Sequence, residues 1–345
     1  MNLSIPKKQF FNFPILLTLF SLLLYISCSE STSATTDINS ENVVEVTATH
    51  DHDENLHLFE LNTQTISSGW TTFQFRNASH VDHFFVIYQV PDAAITAAAD
   101  ADEPLLEHWF QGVTDPFQTE FNPYAAGEIE YAEFVDNLVA HVLEKGPWFF
   151  DPGAPPMGGP GFTAAGETSK TTVNLEPGEY IVECYVKDEN EQFHSYLGML
   201  EQLTVNGEES AAEEPEATVS LTISSTAGIT ANEIPEAGSQ IVEVFFEDQA
   251  TYGHLLGHNV QLVKLSDNSD EELIASVIEW MDWTKPGSLV NRAPEGAEFL
   301  GGAMEMTGGS VAYIHADFEP GDYAWVAEIP DPIGANMLKT FTVSE

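Results

Sequence analysis

The sequence predicts an all-β protein made of two Greek-key β-sandwich domains in tandem, each with a helical insertion. Short segments such as Thr71–Phe75 and Thr171–Leu175 alternate apolar and polar residues between turns. This period of two is the pattern of a half-buried strand. A Pro177–Gly178 turn follows the second segment, and strands joined by such turns indicate a sandwich or barrel. The same arrangement then occurs a second time along the chain.

The duplication is visible in motifs that recur at equal spacing. The segment Glu176–Tyr180 reads EPGEY, and Glu319–Tyr323 reads EPGDY. A double glycine precedes each of them, at Gly158–Gly159 and at Gly301–Gly302, and the two intervals are equal. A repeat of this length indicates two copies of one structural unit.

The repeat sets the predicted domain boundaries. The first domain covers residues 45–206, and a second, degenerate domain covers 218–345. Residues 207–217 between them are acidic and contain Pro215, which is typical of a linker.

Each copy contains a stretch that breaks the β pattern. In the first copy this insertion covers residues 92–157, where Ala93–Ala101 and Glu128–Leu143 are expected to be helical. In the second copy a shorter insertion runs from about Asp270 to Trp283. We expect both to cross one end of their sandwich as a helical flap.

The first 27 residues have the features of a signal peptide for export. Lys7 and Lys8 precede an apolar run over Phe10–Ile26, and the cysteine at Cys28 resembles the acylated residue of a bacterial lipobox. Residues 28–44 are then a flexible tether. We expect an exported body held by lipid on Cys28 to a membrane, in the periplasm or at the outer membrane or cell surface. An ordinary cleaved signal and an uncleaved anchor remain alternatives.

Composition excludes several classes of protein. The 345 residues include 55 acidic and only 10 basic residues, for a formal charge of −45. Ten basic residues cannot form the basic surface that nucleic acid requires, so a nucleic-acid partner is excluded. Two cysteines exclude a disulfide scaffold and a four-thiolate metal site. If Cys28 carries lipid, Cys184 has no partner, and it is then buried and inert, reactive, or a metal ligand.

Four residues of the first copy form a candidate metal site: His83, Cys184, His194 and Met199. The last three follow the pattern C-x9-H-x4-M in one strand–loop–strand segment. A sandwich can bring the earlier His83 to the same end. One thiolate and two imidazoles with a weak thioether are the donor set of an electron-transfer copper site.

These motifs resemble the cupredoxin (plastocyanin-like) superfamily, and in particular exported bacterial members with a Gly-Gly-Pro loop. The resemblance covers residues 45–206 and is carried by Ser68–Phe73, Asn77, His83, Gly158–Pro160, Glu176–Tyr180, Cys184, His194 and Gly198–Met199. It implies one type 1 copper bound by the four candidate ligands, and a role for Asn77 in ordering the ligand loop. The loop between Cys184 and His194 departs from the family, because it is longer than in small blue proteins and lacks a Pro–Gly turn.

Other histidines of the first copy are interpreted differently. His80 is either an alternative donor or a polar loop residue, and the second is favoured. His50, His52 and His57 could capture metal weakly, but we interpret them as the solvated start of the first strand.

The second copy lacks the complete donor set. Ala327 stands where the first copy has its cysteine, and only His258 and Met337 remain. We therefore expect a metal-free module that serves packing, spacing or partner contact, with His258 as a capping or core residue.

No catalytic motif is recognised. Glu183 and Tyr185 flank Cys184, so the chain lacks the neighbouring histidine that links two copper centres in copper oxidases and nitrite reductases. Nucleophile-elbow, zinc-protease and phosphate-loop patterns are also missing. We predict no enzyme, but a tethered electron carrier with one copper and a redox partner protein that the sequence does not identify. A metal-free binding or structural lipoprotein is the alternative, and copper storage or delivery ranks third.

Overall fold

The computed structural model describes residues 42–51 and 56–345, which belong to one compact unit. The predicted signal peptide, Cys28, His52 and most of the tether lie outside the described residues. The first strand begins at Val43, within the predicted tether.

The described chain consists mainly of β-strands, which confirms the all-β prediction. The strands are β1 (Val43–Asp51), β2 (Leu56–Leu61), β3 (Thr65–Asn77), β4 (Val86–Gln89), β5 (Thr168–Leu175), β6 (Gly178–Glu183), β7 (Leu200–Glu209), β8 (Val219–Ser224), β9 (Gly228–Ala231), β10 (Gly238–Phe246), β11 (Val260–Leu265), β12 (Ala297–Ala303), β13 (Val311–Phe318), β14 (Gly321–Val326) and β15 (Leu338–Val343). Burial follows the period of two: in β1, Val44, Val46 and Ala48 are fully buried between more exposed neighbours.

Two sheets are formed, and the larger one crosses from the first copy into the second. Its strand order is β4-β6-β7-β3-β5-β13-β10-β8-β9, with β1 paired to β2 and β3, while β12-β11-β14-β15 form the smaller sheet. The crossing is the antiparallel pair β5–β13, where Thr172 lies opposite Tyr313. The sequence predicted two sandwiches in tandem, but it did not predict that they share a sheet.

Helices lie in the two predicted insertions. They are α1 (Asp92–Asp100), α2 (Leu105–Trp109), α3 (Asp115–Ala125), α4 (Tyr131–Lys145) and α5 (Glu271–Met281), with a π-helical turn at Phe110–Thr114 and a 3₁₀ turn at Pro147–Phe149. In α4 the apolar stripe Phe134, Leu138 and Val142 is buried as expected, whereas Ile129 precedes the helix. No helix in the described part of the chain is long and apolar enough to cross a membrane.

The Gly-Gly-Pro loop connects the two copies beside the candidate site. Pro160 forms a β-bridge with Ala303 of the second copy, and Thr163 bridges both Leu300 and His83. Gly159 has a φ of +129°, and a Cβ there would lie 2.3 Å from the carbonyl oxygen of Phe85. Only glycine permits this approach, which packs the loop directly against the segment that carries His83.

Candidate metal centre

Three of the four predicted ligands meet in the interior of the first copy. His83 Nδ1 lies 3.8 Å from Cys184 Sγ and 3.3 Å from His194 Nδ1. All three side chains are fully buried. One ion with bonds of about 2.0–2.3 Å can span donor atoms at these separations. The structure therefore places the His83 imidazole beside both the sulfur and the His194 imidazole, and metal binding by these residues stays a prediction.

The predicted fourth ligand, Met199, is joined by backbone hydrogen bonds to two of the other three residues, His194 and Cys184. Its N–H donates to the carbonyl of His194 at 2.8 Å, and its carbonyl accepts from Cys184 N–H at 3.3 Å. Ser195 N–H donates to the carbonyl of Cys184 at 2.8 Å. Met199 is fully buried. These bonds join the end of β6, the loop that carries His194 and the start of β7 at one end of the sandwich, which we call the first pole.

Asn77 orders the segment that leads to His83. Its side-chain Nδ2 donates to the carbonyls of Val81 at 2.7 Å and Thr163 at 2.8 Å, and its Oδ1 accepts from Ser79. Asn77 is fully buried at the end of β3. Because these bonds join the His83 turn to the Gly-Gly-Pro loop, Asn77 has the ordering role that the family resemblance implies.

The long loop between Cys184 and His194 is fixed although it lacks a Pro–Gly turn. Asp188 Oδ1 accepts from the N–H groups of Asn190 and Gln192, which forms a turn. Gln118 of α3 then accepts from Phe193 N–H at 2.7 Å. The helical insertion thus holds the residue before His194, and the loop does not carry His194 into solvent.

Burial controls the protonation of the candidate ligands. It lowers the pKa of His83 and of His194 well below the usual value, and the neighbouring imidazoles lower each further. Both rings are therefore neutral at pH 7, the form that can bind a metal. Burial also raises the pKa of the Cys184 thiol to about 12, against the opposing effect of hydrogen bonds from the N–H groups of Val186 and Phe84. Metal binding must release this proton.

His57 is the residue that the sequence interpretation missed. It is only 2% exposed, and its ring stacks on His194 at a centroid distance of 3.7 Å. The three imidazoles of His57, His83 and His194 form a group that could hold a metal ion, with one nitrogen of each within 4.8 Å of the others. The interpretation of His57 as a solvated residue is wrong, because the alternation of β2 places it inward with Phe59.

The ring stack continues to the surface. His50 stacks on His57 at 4.1 Å, and His80 stacks on His50 at 4.9 Å. The Nδ1 atoms of His50 and His80 are 3.3 Å apart, and His80 is exposed. A row of four imidazoles thus runs from His194 in the interior to the surface.

The corresponding end of the second copy, which we call the second pole, has different residues around its histidine. Tyr252 Oη lies 3.1 Å from His258 Nδ1 and 3.8 Å from Met337 Sδ. His258 Nε2 donates to the carbonyl of Asp248 at 3.0 Å. Ala327 is buried, and no three-residue metal group occurs among the described residues of this copy. His258 is a core residue whose two ring nitrogens both have partners.

No protein-family model matches the chain, and no curated protein matches it. Among solved structures, auracyanin A, titled a "blue" copper protein from Chloroflexus aurantiacus, is 16% identical over 48% of this chain and 98% of that chain, with a TM-score of 0.23. A blue copper oxidase from Nitrosomonas europaea is 10% identical over 88% and 85%, with a TM-score of 0.21. A copper-containing nitrite reductase from Thermus scotoductus is 9% identical over 88% and 61%, with a TM-score of 0.21.

These titles agree with the cupredoxin resemblance of the motifs. The prediction that the chain is no enzyme is contradicted, because structures that match 88% of the chain are titled an oxidase and a reductase.

Proposed function

We propose that the first copy binds one type 1 copper ion for electron transfer, with His83, Cys184 and His194 as ligands and Met199 as a weak fourth. The observation that supports this most directly is the convergence of Cys184 Sγ and two Nδ1 atoms, at 3.8 and 3.3 Å, in a site closed to solvent. Soft sulfur suits Cu(I) and imidazole suits Cu(II), so this donor set favours copper over a hard cation.

The residues of the chain provide a rigid and dry frame. Bound copper would supply one-electron redox chemistry. His83 and His194 present neutral imidazoles without a protonation cost at pH 7, since burial lowers the pKa of both. Asn77 and Gln118 hold the two segments that carry these histidines. Because both segments are fixed by buried hydrogen bonds, the donors need little movement when the charge of the metal changes.

We further propose that the protein works in the cell envelope. The signal-like start and Cys28 support export and attachment to a membrane through an acyl chain. The formal charge of −45 favours a redox partner protein with a basic docking surface.

The test is the visible spectrum of the copper-loaded protein. We expect one copper per chain, a strong sulfur-to-copper charge-transfer band and a type 1 electron paramagnetic resonance signal. Cys184→Ser removes the band, while Ala327→Ser, the matched change in the second copy, leaves it unchanged. A protein that stays colourless under oxidising conditions and binds no copper contradicts the proposal and favours the metal-free scaffold.

A second candidate is a copper site made of imidazoles alone. The group of His57, His83 and His194 favours it, because these rings satisfy the spacing of a metal site without the sulfur. In that case Cys184→Ser keeps one Cu(II) per chain with nitrogen hyperfine coupling, and no charge-transfer band occurs in either protein. The two candidates are therefore separated by the same pair of spectra.

A further inference from the structure

A cavity of about 400 Å³ lies between the helical insertion of the first copy and residues 249–257 of the second. Its volume is in the range of small-molecule sites, about 300–1,000 Å³. Its walls are mainly apolar and include the aromatic side chains of Tyr88, Phe117, Phe149 and Trp283. Such walls bind flat apolar bodies and organic cations.

Two polar atoms in this wall have no hydrogen-bond partner among the described residues. They are Glu305 Oε2 and Thr114 Oγ1, on residues that are 2% and 4% exposed. Leaving a buried polar atom unpaired costs about 1–3 kcal/mol, so such atoms are rare. Thr114 ends the π-helical turn at Phe110–Thr114, and such turns are frequent at functional sites. Both residues line the cavity.

The charged side chains that line the cavity indicate the charge of the ligand that it can bind. Glu183 is a second carboxyl group on the cavity, and its Oε2 accepts from Trp109 Nε1 at 3.3 Å. No Lys, Arg or His occurs among the described residues that line it. Burial raises the pKa of the Glu305 carboxyl group to about 7. A positive group in the cavity would have carboxyl groups as its partners.

We propose that this cavity binds one small organic cation with an aromatic body, whose ammonium group lies against the carboxyl groups of Glu183 and Glu305. The aromatic walls receive the body of the ligand, and the Thr114 hydroxyl is a further partner. The acidic surface of the protein attracts cations and repels anions, which supports the same preference. Because Glu183 and Tyr185 flank Cys184 in the chain, the ligand lies beside the candidate metal centre. Binding itself does not require copper.

The test uses three ligands of equal shape on the full chain without added copper: phenethylamine, 2-phenylethanol and phenylacetate. We expect calorimetry to give one site for phenethylamine with a Kd below about 1 mM. The neutral alcohol binds at least about tenfold more weakly, as expected when a charged hydrogen bond is lost, and the anion shows no binding. Quenching of tryptophan fluorescence provides a second readout, because Trp283 lines the cavity.

Substitutions of the two carboxyl groups test whether the ligand binds in this cavity. Glu305→Gln weakens phenethylamine at least about tenfold, and Glu183→Gln does the same, which covers the case in which one variant fails to fold. Glu319→Gln is the matched control, since this carboxylate is 76% exposed and pairs with Lys264, and it leaves binding unchanged. The proposal is overturned if the alcohol binds as tightly as the amine, if both Gln variants bind like the wild type, or if none of the three ligands binds.

Discussion

The two copies place the same strands around two very different poles. In the first, His83 Nδ1 lies near Cys184 Sγ and His194 Nδ1, and all three side chains are fully buried. In the second, the hydroxyl of Tyr252 lies 3.1 Å from His258 Nδ1 and 3.8 Å from Met337 Sδ. In the second pole, which lacks the cysteine and the second histidine, the Tyr252 hydroxyl group is the hydrogen-bond partner of the buried His258 imidazole.

This difference teaches that one residue does not make the site. Ala327 replaces the sulfur, and the loop between Ala327 and Met337 contains no histidine. We expect a Cys184→Ala, Ala327→Cys double variant to show no charge-transfer band, because the second copy has no counterpart of His194 in this loop. Visible absorption after copper loading measures this. A band as strong as that of the wild type would show that the second pole can still form the site.

A buried carboxyl group of the second copy makes the free energy of unfolding depend on pH. Glu305 is contributed by the second copy, and burial raises its pKa from 4.5 to about 7. The folded chain therefore binds more protons than the unfolded chain between these values, so the free energy of unfolding falls as pH rises from about 4.5 to about 7. Glu305→Gln removes this decrease in the free energy of unfolding, because glutamine does not ionise. Relative to wild type, we expect the variant to gain up to about 3 kcal/mol between pH 4 and pH 8.

Urea unfolding at the two pH values measures this gain. Glu319→Gln again serves as the control, because its carboxylate is exposed and its hydrogen bond with Lys264 lowers its pKa. Equal pH dependence in Glu305→Gln and the wild type would mean that the pKa of Glu305 is the same in the folded and the unfolded chain.

A substitution with a smaller expected effect on copper affinity tests whether His57, whose ring stacks on His194, is a metal ligand. His57→Phe keeps an aromatic ring against His194 but removes both nitrogens. If His57 only packs, the charge-transfer band persists and copper affinity changes less than about tenfold, or 1.4 kcal/mol. Competition with a copper chelator gives the affinity. A loss of more than about a hundredfold would make His57 a ligand and favour the imidazole site.

The smallest effect is expected in the second pole. Tyr252→Phe removes the hydroxyl that pairs with His258 Nδ1, so we expect the free energy of unfolding to fall by about 1 kcal/mol. The copper spectrum stays unchanged, because the first pole does not use this residue. A change in the spectrum would show that the two poles are coupled.

The sequence predicted a metal site made of His83, Cys184, His194 and Met199, and binding at this site stays a prediction. The order of Cys184, His194 and Met199 in one strand–loop–strand segment indicated that they lie near one strand end, and His83 lies beside Cys184 and His194 there. His57 was missed because β2 is short, and its alternation is visible only once Phe59 is known to face the core. Its contact with His194 joins residues that lie far apart in the chain.

Two features of the fold also escaped prediction. The helical segment over residues 105–125 carries Pro116 and Pro123 and a π-helical turn, which disrupt the period of 3.6 residues. The pairing of β5 with β13 joins two strands that each show ordinary alternation. Nothing in either strand alone indicates its partner, since the pairing depends on how the copies dock.

The position of β5 has a consequence for any attempt to separate the copies. This strand is paired on both sides, by β3 and by β13. A chain cut between the copies would leave the backbone amides and carbonyls of Lys170–Val173 open along a flat edge. Such an edge recruits strands from other molecules, so the amino-terminal copy alone would tend toward self-association and fibrils. The second copy thus covers this edge of the first copy.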